Sequence, residues 1–324
     1  MKQLSTSPRG PLFGAHGSTA VGSAEEVLKR AEQADRAGLD LFTVSDHPYF
    51  GDRLDAYAVL GVVLGRTGRI TVIDCVTNLP SRPAPMLART ITSLSALSGG
   101  RVVLGLGVGG LWDEIVRLGV ERLGPGAAVR AFEEAITLVR ALSDGGEPVT
   151  FDGEFHRVEG LQPAPVPAAP VWTGSVGPKS LAVTGRLADG WFPGHAADWL
   201  SERYRTSRPV IDEAAVAAGR DPGDIATVYN LPGAITPTPL ARTRDDDGRW
   251  VGGSVDQWVE ELTGAALEHG ASGFVYFAPG GAAPDESALA RWAEEIAPAV
   301  REATRPGGEV SGVRVHPAGP APTS

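Results

Sequence analysis

The chain has 324 residues, of which 42% are apolar, enough to bury a large core. A formal net charge of −10 argues against the basic surface that binds nucleic acid or an anionic membrane, so we expect a small-molecule substrate. No apolar run is long enough to span a membrane, the N-terminus lacks the apolar core of a signal peptide, and the single cysteine excludes an internal disulfide. These features predict a cytoplasmic protein.

Predicted strands and helices alternate along the chain. Apolar, β-branched runs predict strands at 11–16, 41–47, 70–76, 102–107, 171–173, 190–192, 226–231 and 273–277. Helical spacing predicts a helix opened by Pro178 and others at 24–37 (with Ser23 as N-cap), 55–65, 85–97, 127–142, 198–218, 254–269 and 287–301. Eight alternations predict an α/β fold, a (β/α)8 TIM barrel over residues 1–304 as one domain. Residues 305–324, rich in Pro and Gly, are predicted to be disordered.

The ends of the early strands carry polar or flexible residues. The second strand ends at Asp46 and His47, and the fourth is followed by Gly109 and Gly110. Active sites of parallel barrels lie at the carboxyl ends of the strands. His47 is therefore a candidate catalytic residue, since an imidazole beside a carboxylate can exchange protons near neutral pH.

Two connections are longer than ordinary links, at 145–170 and 236–253. The second follows the seventh strand at the face where the site is expected, so it could be a mobile lid. An ordinary solvated loop explains it equally well.

Gly105, Gly107 and Gly110 match the G-x-G-x-x-G pattern of dinucleotide-binding folds. The pattern follows the fourth strand rather than the first, no clean helix start follows, and no acidic strand end stands at the expected offset, all of which disfavour that interpretation. We expect instead that these glycines let a flat ring lie against the backbone.

The run from Gly174 to Gly177 precedes a helix opened by Pro178. Free N–H groups and a helix N-terminus converge there, which predicts an anion site, with a simple glycine-rich turn as the alternative. The histidines show neither H-x-H nor H-E-x-x-H spacing, so no metal site is predicted. Cys75 lies in an apolar run and is interpreted as an inert thiol, and Trp112 is expected to line a pocket.

Six collinear segments together resemble the bacterial luciferase-like superfamily, in particular its branch of coenzyme F420-dependent oxidoreductases. They are SDH at 45–47, NLPSRPAPMLARTITSLSALSGGRVVLGLGVGG at 78–110, DE at 113–114 followed by LG at 118–119, PVWTGSVGPKSLAVTGRLADGWF at 170–192, AGRDP at 218–222 and VGGSVDQWVEEL at 251–262.

The resemblance implies a luciferase-like barrel whose mouth holds the deazaflavin ring of F420. It implies that Asp46 contacts the ring, that His47 lies where substrate meets ring, and that a non-prolyl cis peptide falls about Val76–Thr77 behind the ring. It further implies that Asp113 lies near the cofactor side chain. The phosphate of the cofactor would be held by Gly174, Ser175, Val176 and Gly177.

One departure from the family bears on the substrate. Sugar-phosphate dehydrogenases of this family place a glutamate for proton transfer where this chain has Gly110, and basic residues for a substrate phosphate are not evident. Reduction of an activated C=C or C=N bond is therefore expected, with His47 or a water that it orients supplying the proton. The alternatives are an FMN-dependent monooxygenase and a non-catalytic ligand-binding barrel. The family is commonly dimeric, which implies a homodimer.

Overall fold

Eight parallel strands close into a barrel in the computed structural model, which describes residues 10–278 and 286–305. The strands are β1 (Leu12–His16), β2 (Leu41–Val44), β3 (Thr71–Asp74), β4 (Thr77–Asn78), β5 (Val102–Gly107), β6 (Val149–Asp152), β7 (Arg157–Leu161), β8 (Val171–Thr173), β9 (Gly190–Trp191), β10 (Ala226–Pro232), β11 (Ala234–Thr236), β12 (Gly252–Ser254) and β13 (Gly273–Phe277). The helices are α1 (Ala24–Arg36), α2 (Ala56–Arg66), α3 (Ala84–Ser98), α4 (Trp112–Ile115), α5 (Pro125–Ala141), α6 (Pro178–Leu187), α7 (Glu202–Ala217), α8 (Val255–His269), α9 (Glu286–Arg291) and α10 (Ala297–Ala303).

The barrel consists of β1, β2, β3, β5, β8, β9, β10 and β13, and every pairing between neighbours is parallel. Pairing of β3 with β5 and of β1 with β13 closes the ring. Parallel neighbours require crossover connections, and the covering helices explain why strands such as β2 and β5 are buried at every position. This confirms the predicted (β/α)8 barrel, including its first strand.

An apolar cluster fills the interior of the barrel. It contains Leu41, Ile73, Val103, Trp172, Phe192, Val228 and Val275, each at most 1% exposed. Side chains alternate along a strand, so these residues point inward while their neighbours pack against the helices. Because these side chains fill the middle of the barrel, the space for ligands lies at the carboxyl ends of the strands.

The third strand carries a bulge. Three residues lie between Ile73 and Thr77, but only two lie between their partners Val103 and Leu106, so one extra residue is inserted between β3 and β4. The predicted non-prolyl cis peptide is present, one residue earlier than expected, between Cys75 and Val76.

Three predicted helices need correction. Ser23 precedes α1 but its side chain makes no capping hydrogen bond, because the chain enters through a 3-10 turn and Ser23 has φ −110° and ψ 17°. Helix α7 begins at Glu202 rather than at 198, since the Ser201 side chain accepts from Tyr204 N and caps it. The helix predicted at 287–301 consists of α9, a π turn and α10.

The connection at 145–170 contains a hairpin that the prediction missed. Strands β6 and β7 pair antiparallel, and exposure alternates along β6 as it does in a half-buried strand. At its turn, the backbone N–H groups of residues 154–156 donate hydrogen bonds to the Glu134 carboxylate of α5. The predicted tail lies outside the described residues beyond Arg305.

The connection at 236–253 is anchored at several points. Arg244 pairs with Asp198 at 2.6 Å and with Glu261. The Gln257 side chain exchanges two hydrogen bonds of 2.9 Å with the backbone of Leu240. These contacts favour the anchored loop over the mobile lid.

Within the described ranges, none of the helices has the length and apolarity that crossing a membrane requires.

Candidate functional site

A pocket of about 580 Å³ opens at the carboxyl ends of the barrel strands, and we call it the outer pocket. It is lined by Ser45, Asp46, His47, Tyr49, Cys75, Val76, Thr77, Asn78, Gly107, Val108, Gly109, Gly110, Leu111, Trp112, Pro125, Ala128, Val129, Gly174, Ser175, Val176 and Ser180. Because β2 ends at Val44, Asp46 and His47 stand on the loop after the strand rather than on the strand itself.

The outer pocket brings together nine of the eleven predicted site residues, together with Trp112. Asp113 and Gly177 do not line it. The Asp113 side chain is 92% exposed and pairs with Arg122, because helix α4 turns it toward solvent. Gly177 is the N-cap of α6 and lies beside the wall that Ser175 and Val176 form.

Asp46 is a buried carboxylate held by an arginine that the sequence analysis did not single out. Arg82 Nε and Nη2 donate to Asp46 at 2.8 and 2.6 Å, and Asn78 N donates at 3.0 Å. Arg82 also donates to Asp55 at 2.7 Å, which ties the pocket wall to the start of α2. A bidentate pair of this kind fixes orientation as well as charge. The signal was present in the quoted segment NLPSR, where one arginine follows an apolar strand end.

His47 is half-buried and hydrogen-bonds to a second residue that the prediction missed. Its Nδ1 lies 2.7 Å from the hydroxyl of Tyr49, and burial lowers the pKa of the imidazole below its ordinary value. Nearby Arg53 lowers this pKa further, while Asp46 raises it. With Nδ1 occupied, Nε2 is the nitrogen left to exchange a proton with a ligand.

The glycines of β5 serve a different purpose from the predicted one. A Cβ at Gly105 would lie 1.8 Å from the carbonyl oxygen of Asp74, and one at Gly107 would lie 2.7 Å from Cγ2 of Val76. The space is therefore occupied by the bulge, not left open for a flat ring. The surface that faces the pocket here is Val76 itself.

The loop from Gly174 to Gly177 is built on a buried serine. Ser175 Oγ accepts from Thr184 Oγ1 at 2.9 Å, and its carbonyl accepts from Trp191 Nε1 at 2.9 Å. These contacts fix the loop against α6, while Val176 stays 58% exposed. The first N–H groups of a helix lack partners within it, so this end of the pocket suits an anion.

Comparison with known proteins identifies the family. A family model described as luciferase-like monooxygenase matches residues 10–304. The chain belongs to this family.

Curated relatives of this luciferase-like protein are oxidoreductases. It is 29% identical over 244 residues to F420-dependent glucose-6-phosphate dehydrogenase of Microbacterium testaceum, covering 72% of this chain and 71% of the relative. It is 30% identical to F420-dependent hydroxymycolic acid dehydrogenase of Mycobacterium tuberculosis, covering 72% and 65% of the two chains. The predicted membership in an oxidoreductase family with F420-dependent members is confirmed.

Solved structures share the fold of this luciferase-like protein. An F420-dependent secondary alcohol dehydrogenase in complex with an F420-acetone adduct has a TM-score of 0.75 at 20% identity, covering 90% of this chain and 99% of that one. The coenzyme F420-dependent tetrahydromethanopterin reductase of Methanopyrus kandleri also has a TM-score of 0.75, at 18% identity, covering 89% and 99%.

Beneath the pocket of this family member lies a third acidic residue, Asp74. It is 1% exposed, and burial together with the nearby charge of Asp46 raises its pKa well above the ordinary value. Burial and the neighbouring charge thus favour the neutral form of the Asp74 carboxyl over the carboxylate.

A second cavity of about 280 Å³, which we call the second chamber, adjoins the outer pocket. Its lining is Ser45, Cys75, Val76, Phe192, Gly194, His195, Asn230 and Phe277. Ser45, Cys75 and Val76 belong to both cavities. Burial raises the pKa of Cys75 to about 12, so its thiol stays protonated although it faces a cavity.

Proposed function

We propose that this protein is an F420-dependent oxidoreductase that reduces an activated C=C or C=N bond of a small organic substrate. The observation that carries the proposal is one pocket at the barrel mouth that joins half-buried His47, an apolar wall at Val76 and the loop that begins at Gly174 and leads into the N-terminus of α6. The names of the curated relatives support the cofactor.

The residues of the outer pocket fit this cofactor. Asn78 is 6% exposed, and its Oδ1 has no hydrogen-bond partner among the described residues. An imide N–H, which a deazaflavin ring carries, is a donor suited to such an acceptor. The loop from Gly174 to Gly177 and the N-terminus of α6 would hold a phosphate of the cofactor side chain.

When bound, F420 supplies hydride chemistry, and this chain supplies position and a proton. His47 Nε2, or a water that it orients, delivers the proton to the substrate. The Tyr49 hydroxyl on Nδ1 holds the imidazole plane, and Arg82 holds Asp46 against the pocket wall. Val76 provides the apolar surface on which a planar ring can rest.

A fluorescence titration of the purified chain with F420 and, separately, with FMN tests the cofactor. We expect F420 to bind and FMN not to bind. A preference for FMN would favour the monooxygenase instead, and binding of neither would favour the non-catalytic barrel. Reduction of 4-hydroxycyclohex-2-enone and 3-hydroxy-1-pyrroline by the protein loaded with reduced F420 then tests the bond type.

The substitution His47→Ala tests the proton-transfer role. We expect F420 binding to be retained and turnover to fall by about 10²- to 10⁴-fold, the usual contribution of a general acid or base. His269→Ala is the matched control, because His269 ends α8 and lines neither the outer pocket nor the second chamber. If turnover were unchanged in His47→Ala, His47 would not be the proton-transfer residue.

The proposal includes a cytoplasmic homodimer. Exposed large apolar side chains lie on the neighbouring helices α2 and α3, namely Val62 at 47%, Met86 at 62% and Leu97 at 85% exposure. Apolar groups clustered on a surface are typical of a protein interface.

A further inference from the structure

The second chamber lies at the top of the barrel interior. Three of its residues follow the inward-facing cluster by two positions: Asn230 follows Val228 and Phe277 follows Val275 on their strands, and Cys75 follows Ile73 at the start of the bulge. Side chains two apart on a strand share a face, so the chamber is the next layer above the apolar cluster.

The wall of the second chamber is uncharged. No Asp, Glu, Lys or Arg is among its eight lining residues. Burial lowers the pKa of His195, which packs edge-on against Phe277 at 5.1 Å, so its imidazole is neutral at pH 7. On the far side of Phe277, His16 stacks at 4.1 Å and its pKa is lowered to about 3 by burial. The wall offers a charged ligand no group of opposite charge. Such a ligand is disfavoured, because removing an ion from water is costly when no counter-charge compensates it.

Asn230 contributes a side-chain amide to this wall. It is 6% exposed, and its Nδ2 donates to Cys75 Sγ at 3.3 Å. Its Oδ1 is buried and has no hydrogen-bond partner among the described residues. A buried amide oxygen is normally satisfied, so Asn230 holds, in the wall of the chamber, an acceptor for which no described residue supplies a donor.

The volume sets the size of the ligand. About 280 Å³ is close to the lower end of the ~300–1,000 Å³ typical of small-molecule pockets. The shared wall of Ser45, Cys75 and Val76 places an occupant directly beside whatever fills the outer pocket.

We infer that the second chamber binds the substrate, and that it selects an uncharged small molecule donating one O–H or N–H hydrogen bond to Oδ1 of Asn230. That the ligand is the substrate rests on the proposed function. The chemical class of the ligand rests on the chamber alone. The donor group is separate from the bond that is reduced. It serves recognition, since a site with a buried unpaired acceptor rejects analogues that lack the donor.

Three probes of equal ring size test the inference by ligand-observed NMR on the full chain without cofactor. Cyclohexanol is neutral and has a donor, cyclohexanone is neutral with an acceptor only, and cyclohexylammonium has donors and a charge. We expect cyclohexanol to bind about 2- to 10-fold more tightly than cyclohexanone, as one hydrogen bond allows. Cyclohexylammonium should bind more weakly than either.

Asn230→Leu removes the acceptor at nearly constant volume. We expect it to abolish the preference for cyclohexanol while leaving the Kd for F420 within about twofold, since Asn230 does not line the outer pocket. Should the variant fail to fold, the side-chain amide resonances of Asn230 in the ¹⁵N-labelled native chain provide a second readout. They should shift with cyclohexanol and remain unchanged with cyclohexylammonium.

The outcomes separate the two proposals. Equal binding of the three probes, or an unchanged preference in Asn230→Leu, overturns the chamber inference even where F420 binds. A preference for cyclohexanol in a chain that binds no F420 supports the ligand class and overturns the proposed function instead.

Discussion

Asp46 and His47 are neighbours in the chain, yet they differ in burial and in their hydrogen-bond partners. Asp46 is enclosed and paired with both nitrogens of the Arg82 fork, so its charge is compensated inside the wall. His47 has no such partner, and burial lowers its pKa. The carboxylate therefore serves as a fixed part of the wall, whereas the imidazole is the group that can change its protonation during a reaction.

The lowered pKa of His47 sets the pH dependence. The imidazole is protonated only below a pKa that lies under its ordinary value of about 6.5. If His47 donates the proton during reduction, kcat should be highest at acidic pH and fall about tenfold per pH unit above that pKa. The reverse oxidation, in which His47 accepts the proton, should rise through the same pKa and be level at neutral pH.

Steady-state kinetics of the F420-loaded enzyme between pH 5 and 8, in both directions, would measure these profiles. His47→Ala should flatten both of them. An inflection that appears only above pH 7, or one that survives in His47→Ala, would contradict the assignment.

The element that shapes the site is the bulge between β3 and β4. One extra residue pushes Val76 into the mouth of the barrel, and the backbone of β5 can follow closely only because Gly105 and Gly107 have no side chains. Strand packing thus explains Gly105 and Gly107, two of the three glycines in the pattern that resembles a dinucleotide motif.

Gly107→Ala should therefore destabilise the protein. The new methyl group would meet Cγ2 of Val76 at 2.7 Å, and we expect a loss of about 1–3 kcal/mol, as for other overpacked sites, together with weaker F420 binding. Thermal unfolding and F420 titration measure the two effects.

Two variants control this experiment. Gly110→Ala lines the same pocket but its Cβ would have no neighbour within 4 Å, so its stability should be unchanged. Val76→Ala combined with Gly107→Ala removes the colliding methyl and should recover part of the loss, which a double-mutant cycle quantifies. Equal effects of Gly107→Ala and Gly110→Ala would show that packing against Val76 is not the cause.

Much of the fold could be predicted because the spacing of apolar residues along the chain follows from which residues are buried in a strand or a helix. Strand β5 was predicted at its observed bounds, and the eight alternations gave the barrel. The hairpin of β6 and β7 was missed because its alternation is short and Pro-rich segments surround it. Helix α7 was predicted to begin at Asp198, which lies instead in the loop before the helix and pairs with Arg244, 46 residues away.

Site residues that directly follow a strand could be predicted from the sequence. Those that depend on contacts between distant segments could not. Asp46, His47 and the Gly174 loop stand directly after strands. Arg82, Asn230 and His195 matter through partners that only the closed barrel brings near, such as Asn230 and Cys75. Asp113 was carried over from the resemblance, and the local turn of α4 moves it to the surface.

On the scale of the whole molecule, the barrel gathers its site from strands spread between residues 45 and 277 while its outer helices remain available for assembly. The proposed homodimer uses the exposed apolar side chains of α2 and α3. The opposite faces of these helices are already committed to the core.

Light scattering coupled to size-exclusion chromatography should give twice the mass of one 33.7 kDa chain. Leu97→Glu should shift the mass toward the monomer, because a buried unpaired charge opposes association. Leu267→Glu, on α8, is a matched exposed control and should leave the mass unchanged. A monomeric native chain, or equal behaviour of both variants, would rule out this interface.

The wall that the two cavities share makes their occupants thermodynamically linked. Ser45, Cys75 and Val76 belong to both linings. If one ligand displaces these residues, the affinity of the other cavity for its ligand changes. Reciprocity then requires that the factor by which the first ligand changes the affinity for the second equals the factor in the opposite order. A measured synergy in one direction therefore fixes the other, and whether that common factor lies above or below one tells whether the two ligands assist or oppose each other's binding.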